Sequence, residues 1–198
     1  MINFWWVRRA PVVGNFDRCY GNNEVDCDVS DIFVFKKLVK NLPKNADVYT
    51  SNLSRTIKTF EAAVKSGYKF KKHITDDRLA EQDLGEYTGM KYSALYNLAK
   101  TKKFHDKNWL ISPSHIPPNG ESFKNLYARV KSFIDDILIK NKKKNIVIFS
   151  HGGPIRAAIS YAIDYSENIV IPIDVENTKL SLIGYNKNKE GKLFFLNR

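Results

Sequence analysis

The 198-residue chain is predicted to be an α/β protein of three layers, in which a mainly parallel central sheet is covered by helices on both faces. Two observations support this class. Apolar segments of strand length alternate along the chain with segments of helical periodicity, and the last two apolar segments flank a turn-rich stretch. Neither a linker nor an internal repeat divides the chain, so we expect a single domain spanning residues 1–198 with one sizeable core.

The first half of the chain supplies three predicted strands and two predicted helices. Ile2–Val7 and Ala46–Ser51 are apolar runs typical of buried strands, and Phe70–Thr75 is a shorter candidate. Residues 30–42 and 54–67 have helical spacing, with Gly67 placed to end the second helix. The predicted buried stripe of the first helix consists of Ile32, Phe35, Leu38, Val39 and Leu42.

The second half begins with a long connection, residues 76–121, in which only residues 91–100 are predicted to be helical. A helix then follows over residues 121–140, a buried strand over Asn145–Ser150 and a helix over residues 151–163, with Pro154 at the favoured first helical position. The stripe of the 121–140 helix consists of Phe123, Leu126, Val130, Phe133, Ile137 and Leu138. The last two strands, Lys179–Tyr185 and Lys192–Leu196, are predicted to form a hairpin.

The formal net charge of +11 suggests an acidic partner, but the lysines are scattered along the chain and often stand beside asparagines, as in "NKNKEGK". Dispersed lysine is typical of a solvated surface, so a dedicated nucleic-acid surface is disfavoured. No run approaches the ~20 apolar residues that a membrane span needs. Cys19 and Cys27 match no common zinc spacing and are interpreted as free thiols in a reducing compartment. We therefore expect a cytoplasmic protein with no metal, no cofactor and no membrane partner.

Candidate site residues follow three of the predicted strands. Arg8 and Arg9 come directly after the first strand, Arg55 follows the second at a helix start, and His151 with Gly152 follows the strand at Asn145–Ser150. Ligands of such sheets bind beyond the carboxyl ends of the strands, and a glycine-rich helix start with arginines suits a phosphate group. Taken alone, the arginine pair could also be a solvated loop, and His151 could be a capping or packing residue.

Two carboxylates in the long connection could take part in the chemistry. Glu81 lies among turn-forming residues, and Glu121 begins a predicted helix. Each could be a surface carboxylate or a helix-start charge. A carboxylic acid beside a phosphate pocket could instead protonate a leaving alcohol, as phosphomonoester hydrolysis requires.

Five segments in order make the chain resemble the histidine phosphatase superfamily, which has the fold of cofactor-dependent phosphoglycerate mutase, across nearly its full length. These segments are "VRRAPV", "TSNLSRTIKT", "LAEQDLGEYTGM", "PPNGESF" and "VIFSHGGPIRA". A further segment, "DRCYGNNEVD", is most similar to the alpha-ribazole phosphatase branch. The resemblance implies an α/β phosphatase or mutase fold that binds a small phosphorylated molecule or inorganic phosphate.

The resemblance also assigns roles by position. It makes Arg8 and Arg55 phosphate clamps, His151 the second histidine that donates to the phosphoryl group, and Glu81 the general acid and later the base. The family's nucleophilic histidine falls on Arg9. A guanidinium has no free lone pair with which to attack phosphorus, so Arg9 is expected to bind the phosphate without attacking it. The remaining expected site positions are Gly152 for phosphate binding and Arg18, Asn22, Glu121 and Ser122 at the pocket rim.

Three functions remain open at this point. The first is a phosphomonoester-binding protein with little or no turnover, and the second is an active phosphatase that attacks with His151 or with water polarised by Glu81. The third is a basic nucleic-acid binder. The extra positive charge of Arg9 further predicts either a bound phosphate or sulfate in the pocket or a contact between Arg9 and Glu81.

Overall fold

The computed structural model describes residues 1–14, 17–107, 110–140, 144–164 and 172–198. Its centre is a six-stranded sheet with the order β3-β2-β4-β1-β5-β6. The strands are β1 (Ile2–Arg8), β2 (Ala46–Thr50), β3 (Phe70–Thr75), β4 (Asn145–Ser150), β5 (Leu180–Tyr185) and β6 (Gly191–Phe195). The α-helices of the described residues are α1 (Ile32–Asn41), α2 (Ser54–Lys65), α3 (Tyr92–Thr101), α4 (Phe123–Lys140) and α5 (Gly152–Ala162).

The sheet is mixed and mostly parallel, which confirms the predicted fold class. Strands β1 to β4 pair in parallel, while β5 pairs antiparallel with both β1 and β6. The predicted terminal hairpin is therefore present as β5 and β6. Two short 3-10 turns, Asp77–Leu79 and Gly85–Tyr87, lie in the long connection before α3.

Both faces of the sheet are covered, as the buried side chains of β4 show. Ile146 and Ile148 pack in one cluster with residues of α4 and α5, and Val147 and Phe149 pack in another with residues of α1 and α2. Successive residues of a strand point to opposite faces, so a continuous apolar strand requires helices on both sides. A third, smaller cluster forms around α3 and contains Cys19, Tyr87, Leu95, Ala99 and Ile111.

Two local predictions are corrected by the structure. Ile32 is 58% exposed, because it is the first residue of α1 and helical side chains lean towards the helix N-terminus, where no preceding turn covers it. Pro154 occupies the third helical position rather than the first, because α5 begins at Gly152 with His151 as its N-cap. Its missing N–H is still one of the four that an α-helix leaves unpaired at its start, so the helix loses no internal hydrogen bond.

The predicted end of α2 is confirmed. Gly67 has a φ of +100°, and this left-handed backbone region strongly favours glycine. Within the described part of the chain, no helix has both the length and the apolarity needed to cross a membrane.

Candidate active site

The residues that follow β1, β2 and β4 meet at one edge of the sheet. The parallel register places Arg8 beside Ser150 and Thr50 beside Phe149. Arg9, Ser51 and His151, which follow β1, β2 and β4, therefore lie within one residue of the same level at this edge. Helices α2 and α5 begin directly beyond this edge, so their N-terminal ends also face it.

His151 is completely buried, and both of its ring nitrogens are engaged. Its Nδ1 accepts a hydrogen bond from Nε of Arg55 at 3.3 Å, and its Nε2 lies 2.8 Å from the Ser51 hydroxyl. Because a guanidinium can only donate, Nδ1 must present its lone pair and Nε2 must carry the proton. Burial, followed by the charges of Arg55 and Arg9, holds the pKa of His151 well below its usual value, so the ring is neutral.

Arg55 is also completely buried, and it donates through each of its three side-chain nitrogens. Besides the bond to His151, Nη1 donates to the Asn23 carbonyl at 2.6 Å and Nη2 donates to the Gly21 carbonyl at 2.8 Å. Arg55 thus fixes the orientation of the His151 ring and holds the 21–23 loop against the start of α2.

Arg9 is 3% exposed and contacts Tyr20 rather than Glu81. Its Nη1 donates to the Ala10 carbonyl at 2.7 Å, and its Nη2 donates to the Tyr20 hydroxyl. The guanidinium carbons of Arg9 and Arg55 each lie 5.4 Å from the centre of the Tyr20 ring. Of the two expectations for Arg9, the contact with Glu81 is wrong, because Tyr20 and Ala10 supply oxygen acceptors and an aromatic face within reach.

A cavity of about 170 Å³ opens at this edge of the sheet. Its polar end is formed by Arg8, Glu81, Gln82, Gly152, Gly153 and Arg156. Arg8 donates through Nη1 to the Val175 carbonyl, while its buried Nε has no hydrogen-bond partner among the described residues. Arg156 donates through Nε to the Ile173 carbonyl at 2.8 Å.

Sequence reasoning missed Arg156, although a signal for it exists. Arg156 stands four residues after Gly152, which places it on the same face of α5 one turn into the helix. A Cβ added to Gly152 would lie 2.9 Å from Nη1 of Arg156, so the guanidinium reaches back to the helix start. Among the described residues of the cavity wall, the cationic ones are therefore Arg8 and Arg156, and neither Arg9 nor Arg55 is among them.

Glu81 lies in the cavity with its carboxylate at the N-terminal end of α5. Its Oε1 accepts from the backbone N–H of Gly153 at 3.1 Å and from that of Gln82 at 3.0 Å. A carboxylate at this end is stabilised by the helix dipole. The approach requires glycine at position 153, because a Cβ there would lie 2.2 Å from Oε1.

Glu121 and Ser122 stabilise neighbouring segments of the chain and are not among the described residues that line the cavity. Glu121 accepts from Nη2 of Arg129 at 2.6 Å and from its Nε at 3.1 Å, and its Oε1 also accepts from the Asp83 N–H. Ser122 caps α4, since its hydroxyl accepts from the Asn125 N–H at 3.1 Å. Neither is among the described residues of the cavity wall.

Arg129 is a second residue that sequence reasoning missed. Besides its two bonds to Glu121, it donates to the carbonyls of Arg78 and Glu81 at 2.7 and 3.2 Å. It therefore ties α4 to the segment that carries Glu81. In the sequence Arg129 is one of several charged residues on an amphipathic helix, and nothing in that pattern separates it from a solvated arginine.

Arg18 and Asn22 were expected at the rim. Arg18 is exposed and donates to the Gly89 carbonyl at 2.6 Å, and Asn22 is half-buried in the loop that Arg55 holds. The described cavity wall includes their neighbours Cys19, Tyr20 and Gly21 but neither of these two residues.

The other end of the cavity is apolar. Its wall consists of Leu84, Tyr92, Leu95, Leu110, Ile111 and Phe123, with Cys19 beside them. Burial raises the pKa of the Cys19 thiol to about 11, so this cysteine is protonated and unreactive at neutral pH. In the described ranges no group of three or more His, Cys, Asp or Glu side chains could hold a metal ion.

This arrangement has the parts needed to bind an anion and to move a proton beside it. Two arginines and a helix N-terminus supply positive charge at the polar end. A carboxyl group in the same cavity can donate or accept a proton within reach of a bound anion.

Comparison with known proteins shows the family to which the chain belongs. Residues 34–197 match the model of the histidine phosphatase superfamily (branch 1), a region that begins after Arg8 and Arg9. Phosphoserine phosphatase 1 of Hydrogenobacter thermophilus is 31% identical over 113 residues, which cover 56% of this chain and 50% of that protein. A second protein of the same bacterium, whose name also refers to phosphoserine phosphatase, is 27% identical over 179 residues, or 88% of this chain and 85% of its own.

Solved structures show the same fold. The alpha-ribazole phosphatase of Shigella flexneri has a TM-score of 0.80 at 23% identity and covers 100% of this chain and 96% of its own. A mycobacterial glucosyl-3-phosphoglycerate phosphatase has a TM-score of 0.78 at 16% identity, covering 99% and 98%. With the family model matched over most of its length, the chain belongs to the histidine phosphatase superfamily, branch 1.

Proposed function

We propose that this protein binds phosphomonoesters, with the phosphoryl group at the polar end of the cavity. The observation that carries the proposal is the position of Arg8. This arginine lines the cavity beside the start of α5, and its buried Nε has no hydrogen-bond partner among the described residues. A buried donor without a partner is costly, and an anionic oxygen at the helix start would satisfy it. Arg156 adds a second guanidinium on the same side.

We further propose that hydrolysis is slow because Arg9 stands where the family has its nucleophilic histidine. The Arg9 guanidinium has no free lone pair and is held by Tyr20 and the Ala10 carbonyl. A phosphoenzyme therefore cannot form at this position. The charges around the anion site still stabilise a transferring phosphoryl group, so some acceleration over water is expected.

His151 is a poor substitute nucleophile. Its Nδ1 lone pair accepts from Arg55, and its Nε2 carries the proton that it shares with Ser51. Attack would require the buried ring to lose one of these two bonds. The family resemblance leaves His151 the role of donating a hydrogen bond to the phosphoryl group. For this, the Nε2 proton would have to leave its hydrogen bond with Ser51.

A second candidate is an active phosphatase in which Glu81 activates a water molecule. The observation that favours it is the Glu81 carboxylate, which lies in the cavity at the start of α5. A carboxylate within one water of a bound phosphoryl group could act as a general base. This route needs no nucleophilic side chain at position 9.

Binding is tested by calorimetry with inorganic phosphate. We expect millimolar or tighter binding by the natural sequence and a loss of about tenfold or more in Arg8→Gln, since a charge-assisted hydrogen bond contributes ~1.5–3 kcal/mol. Arg198→Gln is the matched control, because Arg198 is exposed, lies outside the described cavity wall and carries the same charge. Equal binding by both variants would contradict the proposed site.

Turnover is tested with p-nitrophenyl phosphate. We expect near-background activity from the natural sequence and a gain of about 100-fold or more in Arg9→His, because the covalent route divides one difficult step into two. Glu81→Gln should then lower the activity of the Arg9→His variant. Robust activity of the natural sequence that Glu81→Gln removes and Arg9→His does not improve would favour the second candidate.

A further inference from the structure

The cavity has two ends of opposite character that share a single loop. Glu81 and Gln82 belong to the polar end, while Leu84, two residues further, belongs to the apolar end. The apolar wall draws on α3 through Tyr92 and Leu95 and on the first turn of α4 through Phe123. A molecule whose phosphoryl group sits at the start of α5 would therefore place its organic group against aliphatic and aromatic side chains.

The apolar wall is preformed. Leu95, Ile111 and Phe123 are buried, and Leu95 and Ile111 belong to the small cluster around α3. Tyr92, at the first position of α3, is 41% exposed and forms the solvent-facing part of this wall. Among the described residues of this end of the wall there is no charged side chain.

Such a wall discriminates between organic groups. Against the aliphatic side chains of this wall, an amino group, a carboxylate or a row of hydroxyls would lose water without gaining a charged partner from them, and that desolvation is costly. A flat apolar group would instead remove its own surface and that of the wall from water, which is favourable in proportion to the area buried. Aromatic contact with Tyr92 would add to this gain.

Resting on the proposed function, we propose that this site selects phosphomonoesters whose organic group is apolar and planar, and that Tyr92 is a specificity-determining residue. Phosphoserine, which the names of the two bacterial relatives suggest, is zwitterionic next to its phosphate and fits this wall poorly. The proposal concerns binding and holds whether or not the bound ester is hydrolysed.

Three phosphonates that resist hydrolysis test the proposal by calorimetry. Methylphosphonate probes the anion site alone, phenylphosphonate adds a planar apolar group, and 2-amino-3-phosphonopropionate adds the zwitterion of phosphoserine. We expect phenylphosphonate to bind at least about tenfold more tightly than methylphosphonate, given the apolar area that a ring buries. The zwitterionic phosphonate should bind no more tightly than methylphosphonate.

Tyr92→Ser should lower the ratio of phenylphosphonate affinity to methylphosphonate affinity at least about threefold. Tyr96→Ser is the matched control, because Tyr96 lies on the same helix, is 43% exposed and contacts His105 and Lys100 instead of the cavity. Both tyrosines are exposed, so neither substitution should prevent folding.

The outcomes separate this inference from the proposed function. If methylphosphonate binds and phenylphosphonate binds no better, or if the zwitterion binds best, the selectivity is wrong while the anion site stands. If Tyr92→Ser and Tyr96→Ser have equal effects, Tyr92 does not determine specificity. If none of the three compounds binds, both the anion site and the inference built on it are wrong.

Discussion

Arginines of the site have different environments, although three of them follow strands at the same edge of the sheet. Arg55 is anchored by the carbonyls of Gly21 and Asn23, and Arg9 by Tyr20 and Ala10, and neither is among the described residues of the cavity wall. Arg8 lines it with a donor that has no partner among the described residues. The buried Nε of Arg9 also has no partner among the described residues, so what distinguishes Arg8 is its place in the cavity wall.

The pH dependence of stability should report the burial of His151. Its pKa is lowered in the folded protein, mainly by burial, so the unfolded chain binds the proton more readily. The stability is therefore fully present above the unfolded value of ~6.5 and declines as the pH falls below it, by at most ~1.4 kcal/mol per pH unit for one proton. Urea unfolding at pH 7.5 and 5.5 measures this decline.

His151→Asn is the comparison for that measurement. The amide can donate and accept but does not titrate in this range, so we expect the variant to lose less stability than the natural sequence between the two pH values. His73 and His115, whose pKa values are also lowered by burial, remain in both proteins and cancel in the difference. Parallel pH profiles would mean that His151 is not the buried neutral group described.

At the scale of secondary-structure elements, α4 positions the loop that carries Glu81. Arg129 joins Glu121 with the carbonyls of Arg78 and Glu81, and the Gln82 side chain donates to the Glu121 carbonyl at 2.9 Å. The three bonds to backbone carbonyls connect residues 39 to 51 positions apart in the chain. The site thus depends on an ion pair that does not touch the cavity.

Arg129→Met should destabilise the protein by about 2–3 kcal/mol, because it leaves a partly buried Glu121 carboxylate and two carbonyls without their donor. Lys140→Met is the matched control on the same helix. Lys140 pairs with Asp136 at 3.2 Å with a side chain that is 72% exposed, so its loss should cost at most ~0.5 kcal/mol. Chemical denaturation of both variants measures the difference, and equal losses would show that the Arg129 pair is only a surface contact.

Viewed as a whole, the molecule carries its positive charge on more than one side. Exposed lysines occur on α1, which covers one face of the sheet, and at the end of α3, which belongs to the separate small cluster. A charge of +11 spread in this way attracts polyanions without forming a binding face. The nucleic-acid alternative predicts positive charge gathered on one face, whereas these lysines belong to two different elements.

Duplex DNA should bind weakly and lose most of its affinity between ~50 and ~200 mM salt, as non-specific electrostatic binding does. Two triple variants test the distribution of charge, one with Lys36, Lys37 and Lys40 changed to Gln and the other with Lys100, Lys102 and Lys103 changed to Gln. We expect similar small reductions from both in fluorescence anisotropy. If one triple variant alone abolished binding, a dedicated nucleic-acid face would be present there.

The sequence by itself determined the order of strands and helices along the chain. It also determined which residues reach the functional edge of the sheet. These features depend on local periodicity and on the rule that parallel strands end at one edge, so Arg8, Arg55 and His151 could be brought together from their positions after strands. Local patterns also located the end of α2 at Gly67. Periodicity could not indicate that Ile32 is exposed, because that depends on what covers the first turn of α1.

Only the tertiary structure decided what each of these residues does at the edge. The partners of Arg55 lie 32 and 34 residues away, and the acceptor of Arg8 at Val175 lies 167 residues away. The carbonyls that accept from Arg156 and Arg129 lie 17 and 51 residues away. Hydrogen bonds and burial depend on distances in space, and a local sequence pattern carries no information about which distant carbonyl or ring will occupy the space around a side chain.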